Sequence, residues 1–288
     1  MEQIKRAVER AKASATGERL RPMTGPDEQT ASTRSATHAP QSPMRESEPI
    51  ANRSGSAPRY NKVTLNSSHL EQHRIVGHNV ADPRSKAFDI LRTQVLQAMD
   101  RKNWQFLAVT SPTQGCGKTV TAINLALSIA RQPERSALLI DMDLQKPAVA
   151  NYLGIKCQQG VRGLLEGRTT LTDATICAQA KDCELMVLPA EVSTIYSSEL
   201  IGSRNMDTML QDIKRTFRSQ IVIFDLPPLL QGDEVLAMLP KIDGILLVTA
   251  VGVSTLSEIR ECNRHLQSSE VIRLVLNKSH ETTKRIYY

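Results

Sequence analysis

The residues best suited to chemistry lie in one short stretch, which reads QFLAVTSPTQGCGKTVT over residues 105–121. An apolar run is followed by a loop with two glycines, and then by an apolar segment long enough for a helix. Strand, glycine-rich loop and helix in this order are the context of a phosphate-binding loop. Glycines let backbone N–H groups turn onto phosphate oxygens, and the N-terminus of the helix adds partial positive charge. The loop residues that we expect to surround phosphate are Gly115, Cys116, Gly117, Lys118 and Thr119.

Two side chains of this loop have the chemistry that a bound nucleotide needs. Lys118 can reach the β- and γ-phosphates, and the hydroxyl of Thr119 can ligate Mg²⁺. The usual pattern, G-x-x-x-x-G-K-[ST], has a glycine where this chain has Pro112. On the loop alone, a glycine-containing surface turn before a helix therefore stays open as an alternative.

Acidic residues follow two other apolar runs. Asp141 and Asp143 come after residues 137–140, and Asp225 comes after residues 221–224. A single aspartate at the end of a strand is more often a turn or helix cap. Three of them in one sheet with the loop favour nucleotide binding, because such carboxylates hold the Mg²⁺ shell directly or through water. Asp141 and Asp143 can both face the nucleotide only if their strand ends near Asp141.

The elements that must position these residues form an alternating pattern. Apolar runs at 106–109, 137–140, 185–188, 221–224, 244–248 and 271–276 are separated by helical stretches such as 207–217 and 255–266. Strands that are apolar throughout are typical of a parallel sheet covered by helices on both faces. The sequence thus predicts a doubly wound α/β fold with six or more strands, mostly parallel, and ligands at their carboxyl ends.

We divide the chain into four parts. Residues 1–60 form a largely disordered arm, because residues 13–60 are rich in Ser, Thr, Pro, Ala, Arg and Glu and cannot bury enough apolar surface. Residues 61–103 form a lead-in segment with an amphipathic helix, and ordered structure is expected to begin near His73. Residues 104–280 form the nucleotide-binding domain, and residues 281–288 form a tail. The apolar stripe of the helix, either core packing or a docking face, consists of Phe88, Leu91, Val95 and Met99.

Composition excludes several classes of protein. No apolar run approaches the ~20 residues of a membrane span, and the N-terminus has no signal core. The chain is therefore expected to be soluble and cytoplasmic. Five cysteines without C-x-x-C spacing argue against a disulfide framework or a zinc site. A net charge of +6 with 3% aromatic residues and no basic stripe argues against nucleic-acid binding.

Three motifs resemble those of the bacterial tyrosine kinases, the BY-kinase family of exopolysaccharide and capsule loci. TSPTQGCGKT resembles the Walker A motif of the family, which commonly lacks the first glycine; LLIDMDLQKP resembles Walker A′ and IVIFDLPPLL resembles Walker B. The resemblance covers about residues 73–278. It implies a P-loop NTPase fold of the Min/Par-like type that uses ATP and Mg²⁺. It also implies a protein-tyrosine autokinase that regulates exopolysaccharide or capsule biosynthesis and export.

The resemblance also assigns roles to single residues. Lys118, Asp141 and Asp143 would be catalytic, with Asp141 taking the proton of the incoming tyrosine hydroxyl. Thr119, Asp143 and Asp225 would organise Mg²⁺, and Asn277 would lie by the adenine. Tyr287 and Tyr288, in the tail, would be phosphorylated by a neighbouring subunit. A separate membrane protein of the chain-length-determinant type would activate the kinase and hold it at the inner face of the membrane.

The sequence departs from the family pattern in the loop, in Walker A′ and in the lead-in helix. Gln114 and Cys116 stand where the family usually has Pro and Glu, and Gln145 stands where Arg is common. The family helix that reads E-x-x-R-x-x-R helps to assemble rings, whereas this chain has Lys86, Asp89 and Arg92 at those positions. We therefore expect self-association that is weaker or differently built.

Two other functions stay open. A Min- or Par-type ATPase switch would share the fold, but such switches usually carry a second lysine early in the loop, where this chain has Pro112. A non-catalytic nucleotide-binding regulator of polysaccharide export is compatible with the altered loop and the short tail. Phosphotyrosine in the purified protein distinguishes a kinase from both.

Overall fold

A computed structural model of the chain describes residues 60–181, 183–218 and 220–279. The predicted disordered arm, the end of the nucleotide-binding domain and the tail with Tyr287 and Tyr288 lie outside these residues. These described residues belong to one compact unit. In the described residues no helix has the length and apolar character needed to cross a bilayer.

The strands and helices alternate along most of the chain. The strands are β1 Asn61–Thr64, β2 Phe106–Thr110, β3 Ala137–Asp141, β4 Ile176–Ala180, β5 Cys183–Leu188, β6 Ile221–Asp225, β7 Gly244–Ala250 and β8 Val271–Asn277. The longer helices are α1 Ser67–Gln72, α2 Ser85–Lys102, α3 Lys118–Ala130, α8 Arg204–Thr216 and α10 Leu256–His265. Short helices are α4 Val149–Leu153, α5 Val161–Leu165, α6 Leu171–Ala174, α7 Ser197–Ile201 and α9 Glu234–Met238.

The eight described strands form one sheet in the order β1-β4-β5-β3-β6-β2-β7-β8. Every neighbouring pair is parallel except β4 and β5, which form an antiparallel hairpin. The prediction of a doubly wound, mostly parallel α/β fold is therefore confirmed, and all six predicted strands are present. β1 and β4 were not predicted.

Apolar side chains form two core clusters. Ile123 and Leu127 of α3 belong to one cluster, together with Val95 and Met99 of α2. Met206, Met209 and Ile213 of α8 belong to the other, together with Phe217, which directly follows this helix. Val95 and Met99 of the predicted stripe therefore serve core packing, whereas Phe88 lines a cavity.

The lead-in segment begins earlier than its sequence suggested. β1 pairs with β4 in the main sheet, and α1 follows it, so regular structure precedes His73 rather than starting there. The prediction of an ordered start near His73 is wrong because β1 obtains its stability from a neighbouring strand far along the chain. α2 then packs on α3, the helix that follows the phosphate loop.

Three adjacent strands, β3, β6 and β2, position the predicted site. Asp141 and Asp225 are the last residues of β3 and β6 and lie directly opposite each other in the ladder. Val109 of β2 lies opposite Asp225 on the other side. β3 ends at Asp141, as required if Asp143 is to share the same edge of the sheet.

Candidate active site

The phosphate loop is shaped by two glycines in the left-handed backbone region. Gly115 has a φ of +79° and Gly117 has a φ of +89°. A Cβ added to Gly117 would lie 2.3 Å from Nδ2 of Asn277. The same Nδ2 donates a hydrogen bond of 2.9 Å to the carbonyl oxygen of Cys116. The end of β8 therefore packs directly against the loop, and only glycine fits at position 117.

Lys118 and Thr119 point from the start of α3 toward the carboxylates. Nζ of Lys118 lies 2.9 Å from Oδ2 of Asp143 and 3.6 Å from Oδ1 of Asp225. The hydroxyl of Thr119 donates a hydrogen bond of 2.6 Å to Oδ2 of Asp225. The three predicted Mg²⁺ residues, Thr119, Asp143 and Asp225, are thus brought together around the lysine.

Asp225 carries an oxygen that fits a cation. The residue is fully buried, and its Oδ1 makes no hydrogen bond within the described chain, although the ammonium of Lys118 lies 3.6 Å away. A buried carboxylate oxygen without a donor is costly unless a cation or water satisfies it. Burial raises the pKa of Asp225, while the charge of Lys118 and the hydrogen bond from Thr119 lower it and offset part of this effect. The pair of carboxylates and a hydroxyl suits Mg²⁺, which is commonly held by one or two carboxylates plus substrate phosphates.

The surroundings of Lys118 favour the charged form of its side chain. Burial alone would lower the pKa of Lys118, but the charges of Asp225 and Asp143 outweigh it, so that the pKa is raised. Lys118 is therefore a fixed cation at the phosphate end of the site.

Asp141 is held in place by backbone donors. Its Oδ2 accepts hydrogen bonds of 2.9 Å from the N–H groups of Ala148 and Val149, and its Oδ1 accepts one of 3.2 Å from the N–H of Asp143. Burial and the charge of Asp225 raise the pKa of Asp141 to about 7, against the opposing effect of the two backbone bonds. A carboxylate with this pKa accepts a proton more readily than an ordinary one, which suits a general base.

A cavity of about 830 Å³ lies over the loop and Asp143, and Asp141 and Asp225 are buried behind its wall. This volume lies in the range of small-molecule and cofactor sites. One part of its wall is built by Gly115, Gly117, Lys118, Asp143 and Asn277. Another part is built by residues of the lead-in segment and of α4, namely Gln72, His73, Arg74, Arg84, Phe88 and Tyr152.

Cys116 is the one predicted loop residue whose side chain turns away from the cavity. It is 1% exposed, and its Sγ lies 3.3 Å from the hydroxyl oxygen of Ser254. Its contribution to the site is therefore made by its backbone.

The motif around Asp141 makes a hydrogen bond to a distant buried side chain that the sequence did not predict. Glu234 of α9 is buried and accepts hydrogen bonds from Nε2 of Gln145 and, at 2.8 Å, from the hydroxyl of Ser197. Gln145 thus provides an uncharged donor to this carboxylate at the position where the family commonly has arginine. Glu234 lies far along the chain, so no local signal pointed to it.

The described residues contain no group of three or more His, Cys, Asp or Glu side chains arranged to hold a metal by themselves. Two carboxylates and Thr119 would therefore need phosphate oxygens or water to complete the shell of a magnesium ion.

Comparison with known proteins assigns the chain to a family. A family profile described as an AAA domain matches residues 105–267, more than half of the chain. Tyrosine-protein kinase CpsD of Streptococcus pneumoniae serotype 4 is 30% identical over 177 residues, which cover 60% of this chain and 75% of that protein. EpsB of Ralstonia solanacearum is 31% identical over 192 residues, 66% of this chain, but the match spans only 25% of EpsB.

A solved structure agrees with these relatives. The VpsO kinase domain superposes with a TM-score of 0.60 at 29% identity and covers 73% of this chain and 98% of that domain. The same family is indicated by the three motifs, by the profile, by the relatives and by this kinase domain. The chain belongs to the bacterial tyrosine kinase family.

Proposed function

We propose that the chain is an ATP-dependent protein-tyrosine kinase that phosphorylates its own Tyr287 and Tyr288 in trans. Through this activity it regulates the biosynthesis and export of an exopolysaccharide or capsule. The observation that carries the proposal is Asp141, a buried carboxylate fixed by two backbone N–H groups beside the phosphate loop, with a pKa of about 7. A proton acceptor at this place suits the attack of a hydroxyl group on the γ-phosphate, which a non-catalytic regulator would not need.

The residues of the loop hold the nucleotide in this proposal. The backbone N–H groups of residues 115–119 surround the phosphates, and Asn277 lies by the adenine. Thr119, Asp143 and Asp225 hold Mg²⁺, which neutralises charge on the phosphates of ATP when it is bound. Lys118, which now lies between Asp143 and Asp225, supplies the positive charge on the protein side.

Asp141 receives the proton of the acceptor in this proposal. A tyrosine hydroxyl has a pKa of ~10 and is therefore protonated at neutral pH. Its oxygen attacks the γ-phosphorus of ATP efficiently only if a nearby group takes the proton, while ADP leaves. Positioning and charge neutralisation then do most of the catalysis in phosphoryl transfer.

The proposed cellular setting follows from the family. The kinase acts in the cytoplasm at the inner face of the membrane, where a membrane protein of the chain-length-determinant type activates it. Subunits associate so that the tail of one reaches the site of another. No direct contact with nucleic acid is part of this proposal.

The test is phosphotyrosine mapping of the purified chain after incubation with Mg-ATP. Wild type is compared with Lys118→Met, with and without the cytoplasmic segment of a candidate activator. We expect phosphate on Tyr287 or Tyr288 in wild type and its loss in Lys118→Met. ATP binding without labelled tyrosine under either condition would instead favour a non-catalytic regulator or a Min/Par-type switch.

A mixing experiment tests transfer between subunits. Lys118→Met with an intact tail is incubated with a chain that has an intact loop but carries Tyr287→Phe and Tyr288→Phe. Labelling of the Lys118→Met tail demonstrates transfer in trans. If neither variant is labelled in the mixture, while wild type incubated by itself is labelled, the transfer takes place within one chain.

A further inference from the structure

The cavity wall built by the lead-in segment contains a cation without a partner. Arg74 and Arg84 both line the cavity. Arg84 is neutralised by Asp82, at 2.6 Å, and by Glu71, at 3.3 Å. The guanidinium of Arg74 makes no hydrogen bond and no ion pair with any residue that the structure describes. Within the described part of the chain, Arg74 is therefore an unpaired positive charge at the edge of a site that is suited to phosphate.

The backbone of Arg74 has a conformation that favours glycine. Arg74 follows the end of α1, with its N–H bonded to the carbonyl of Glu71 at 2.9 Å and the N–H of Ile75 bonded to Leu70 at 2.8 Å. This is the Schellman arrangement, in which glycine usually occupies the left-handed position. Arg74 has a φ of +60°, whereas α4 ends with Gly154 at +69°. Arginine is thus a strained choice at a position that helix termination alone would give to glycine.

The segment that contains Arg74 is fixed to the helix of the phosphate loop. Asn124 of α3 is fully buried, and its Oδ1 accepts hydrogen bonds of 2.7 Å from both Val76 and Gly77. Its Nδ2 donates to the carbonyl of Arg74 at 3.0 Å. Arg131 donates to the carbonyl of Gly77 at 2.8 Å. A Cβ at Gly77 would lie 2.3 Å from the carbonyl oxygen of Asn124, so the contact is as close as backbone atoms allow.

This attachment sets the distance between Arg74 and the loop. Asn124 is six residues beyond Lys118, which corresponds to about 9 Å along α3. An extended arginine side chain covers most of that distance, and Arg74 shares the cavity with Lys118 and Gly115. The rigid attachment therefore places a guanidinium within reach of a phosphate chain bound at the start of α3.

The negative charges of the site explain why a further cation would stabilise a bound nucleotide. The phosphate end contains the carboxylates of Asp141, Asp143 and Asp225, and Lys118 is already engaged with two of them. A nucleotide brings several negative charges to the same place. Guanidinium groups bind phosphate through paired, charge-assisted hydrogen bonds.

We propose that Arg74 is a nucleotide-binding residue whose guanidinium contacts the phosphate chain of the bound nucleotide. The inference rests on the proposed nucleotide-dependent function but does not require that the chain phosphorylates tyrosine. It assigns to the lead-in segment, which precedes the matched residues 105–267, a direct part in the site.

The test measures the dissociation constants of Mg-ADP and of adenosine by calorimetry for the full chain and for three variants at this position. Arg74→Met removes the charge at similar length, Arg74→Lys keeps the charge, and Arg74→Gly also removes the strain. We expect Arg74→Met and Arg74→Gly to weaken Mg-ADP binding roughly tenfold, as loss of a charged hydrogen bond does, and Arg74→Lys to weaken it less. Adenosine binding should be unchanged in all three.

Thermal unfolding separates binding from folding. Arg74→Gly should raise the Tm of the nucleotide-free protein, because glycine adopts a positive φ without strain. A residue that only ends a helix would show the rise in Tm without any loss of Mg-ADP affinity, and that result would overturn the proposal. Should Arg74→Gly fail to fold, the comparison of Arg74→Met with Arg74→Lys decides in the same way.

The matched control is Arg101→Met, which removes an exposed arginine that does not line the cavity. Its Mg-ADP affinity should stay within about twofold of wild type, because solvent and salt screen an exposed charge outside the site. If the Arg74 variants bind Mg-ADP like wild type but lose affinity for an acceptor peptide, Arg74 belongs to the acceptor site and the proposal is wrong. If the wild-type protein binds no Mg-ADP, both the proposed function and the proposal about Arg74 are wrong.

Discussion

The carboxyl group of Asp141 lies in surroundings that make its charge unfavourable in the folded chain. Its pKa is raised from 3.8 to about 7 by burial and by the charge of Asp225. An acid with a higher pKa in the folded state binds protons preferentially when folded. Between the two pKa values the free energy of unfolding therefore falls as pH rises.

We expect the nucleotide-free wild type to lose stability relative to Asp141→Asn as pH rises from roughly 5 to roughly 7. The relative loss should be on the order of 2 kcal/mol, since one pKa unit corresponds to about 1.4 kcal/mol. Urea unfolding of both proteins at several pH values measures it. Glu199→Gln, at an exposed position, controls for the change in net charge. Parallel pH profiles for wild type and Asp141→Asn would show that the carboxyl has an ordinary pKa.

Gln145 gives a second prediction for a single side chain. Replacing it by arginine would put a charged donor in place of the uncharged amide that now donates to the carboxylate of buried Glu234. We expect Gln145→Arg to raise the free energy of unfolding by about 0.5–1 kcal/mol, measured by urea denaturation. In the background of Glu234→Gln the gain should vanish. An equal gain in both backgrounds would mean that the arginine acts through another contact.

Single residues of the site were largely predictable because their types and spacing carry the chemistry locally. Glycines, Lys118 and Thr119 adjoin one another in the chain, and each aspartate directly follows an apolar run. Arg74, Asn124 and Glu234 could not be found in this way. Their roles depend on contacts between segments that are far apart in the sequence, and each alone has the appearance of an ordinary polar residue.

At the scale of elements, the charges of α2 are used within the chain. Oδ1 of Asp89 accepts hydrogen bonds from Arg92 at 3.1 Å, from the hydroxyl of Ser128 at 2.7 Å and from Arg131 at 2.5 Å. These hydrogen bonds join α2 to α3, so Asp89 and Arg92 are engaged within their own subunit. In the family pattern, charged residues at these positions help to assemble rings of subunits. The expectation of differently built self-association stays a prediction.

We expect Asp89→Ala to lower the free energy of unfolding by about 1–3 kcal/mol, because three donors lose a shared acceptor at a partly buried place. Asp100→Ala, on the same helix, is the control: its pair with Arg135 is more exposed, and its loss should cost less than about 1 kcal/mol. Denaturant unfolding measures both. Light scattering of the same samples shows whether assembly depends on Asp89; a salt-insensitive octamer unaffected by Asp89→Ala would contradict our expectation of weaker assembly.

Among the elements, the six longest apolar runs were predicted as strands because each is apolar throughout and helices separate them. β1 and β4 escaped prediction for a physical reason. β1 is only four residues long and is mostly exposed, and β4 contains cysteine, alanine and glutamine in place of β-branched residues. Both acquire strand structure by pairing with neighbours, a property that no local window of sequence contains.

At the scale of the whole molecule, the layered architecture follows from composition and pattern, whereas the antiparallel hairpin of β4 and β5 does not. A parallel sheet needs long crossover connections, and the pattern of helices between strands supplied that signal. Between β4 and β5 only a short turn intervenes, which by itself permits the antiparallel arrangement.

The hydrogen bond between Asn277 and the carbonyl of Cys116 also fixes the starting point of the residues that lead to Tyr287. The ten residues from Asn277 to Tyr287 span at most about 35 Å when fully extended. The residues that lead to the tail therefore leave the sheet beside the phosphate loop of their own subunit. In the proposed transfer in trans, the site of a second subunit must lie within roughly that distance of the first Asn277. Any assembly in which adjacent sites are farther apart, whatever its number of subunits, could not label Tyr287.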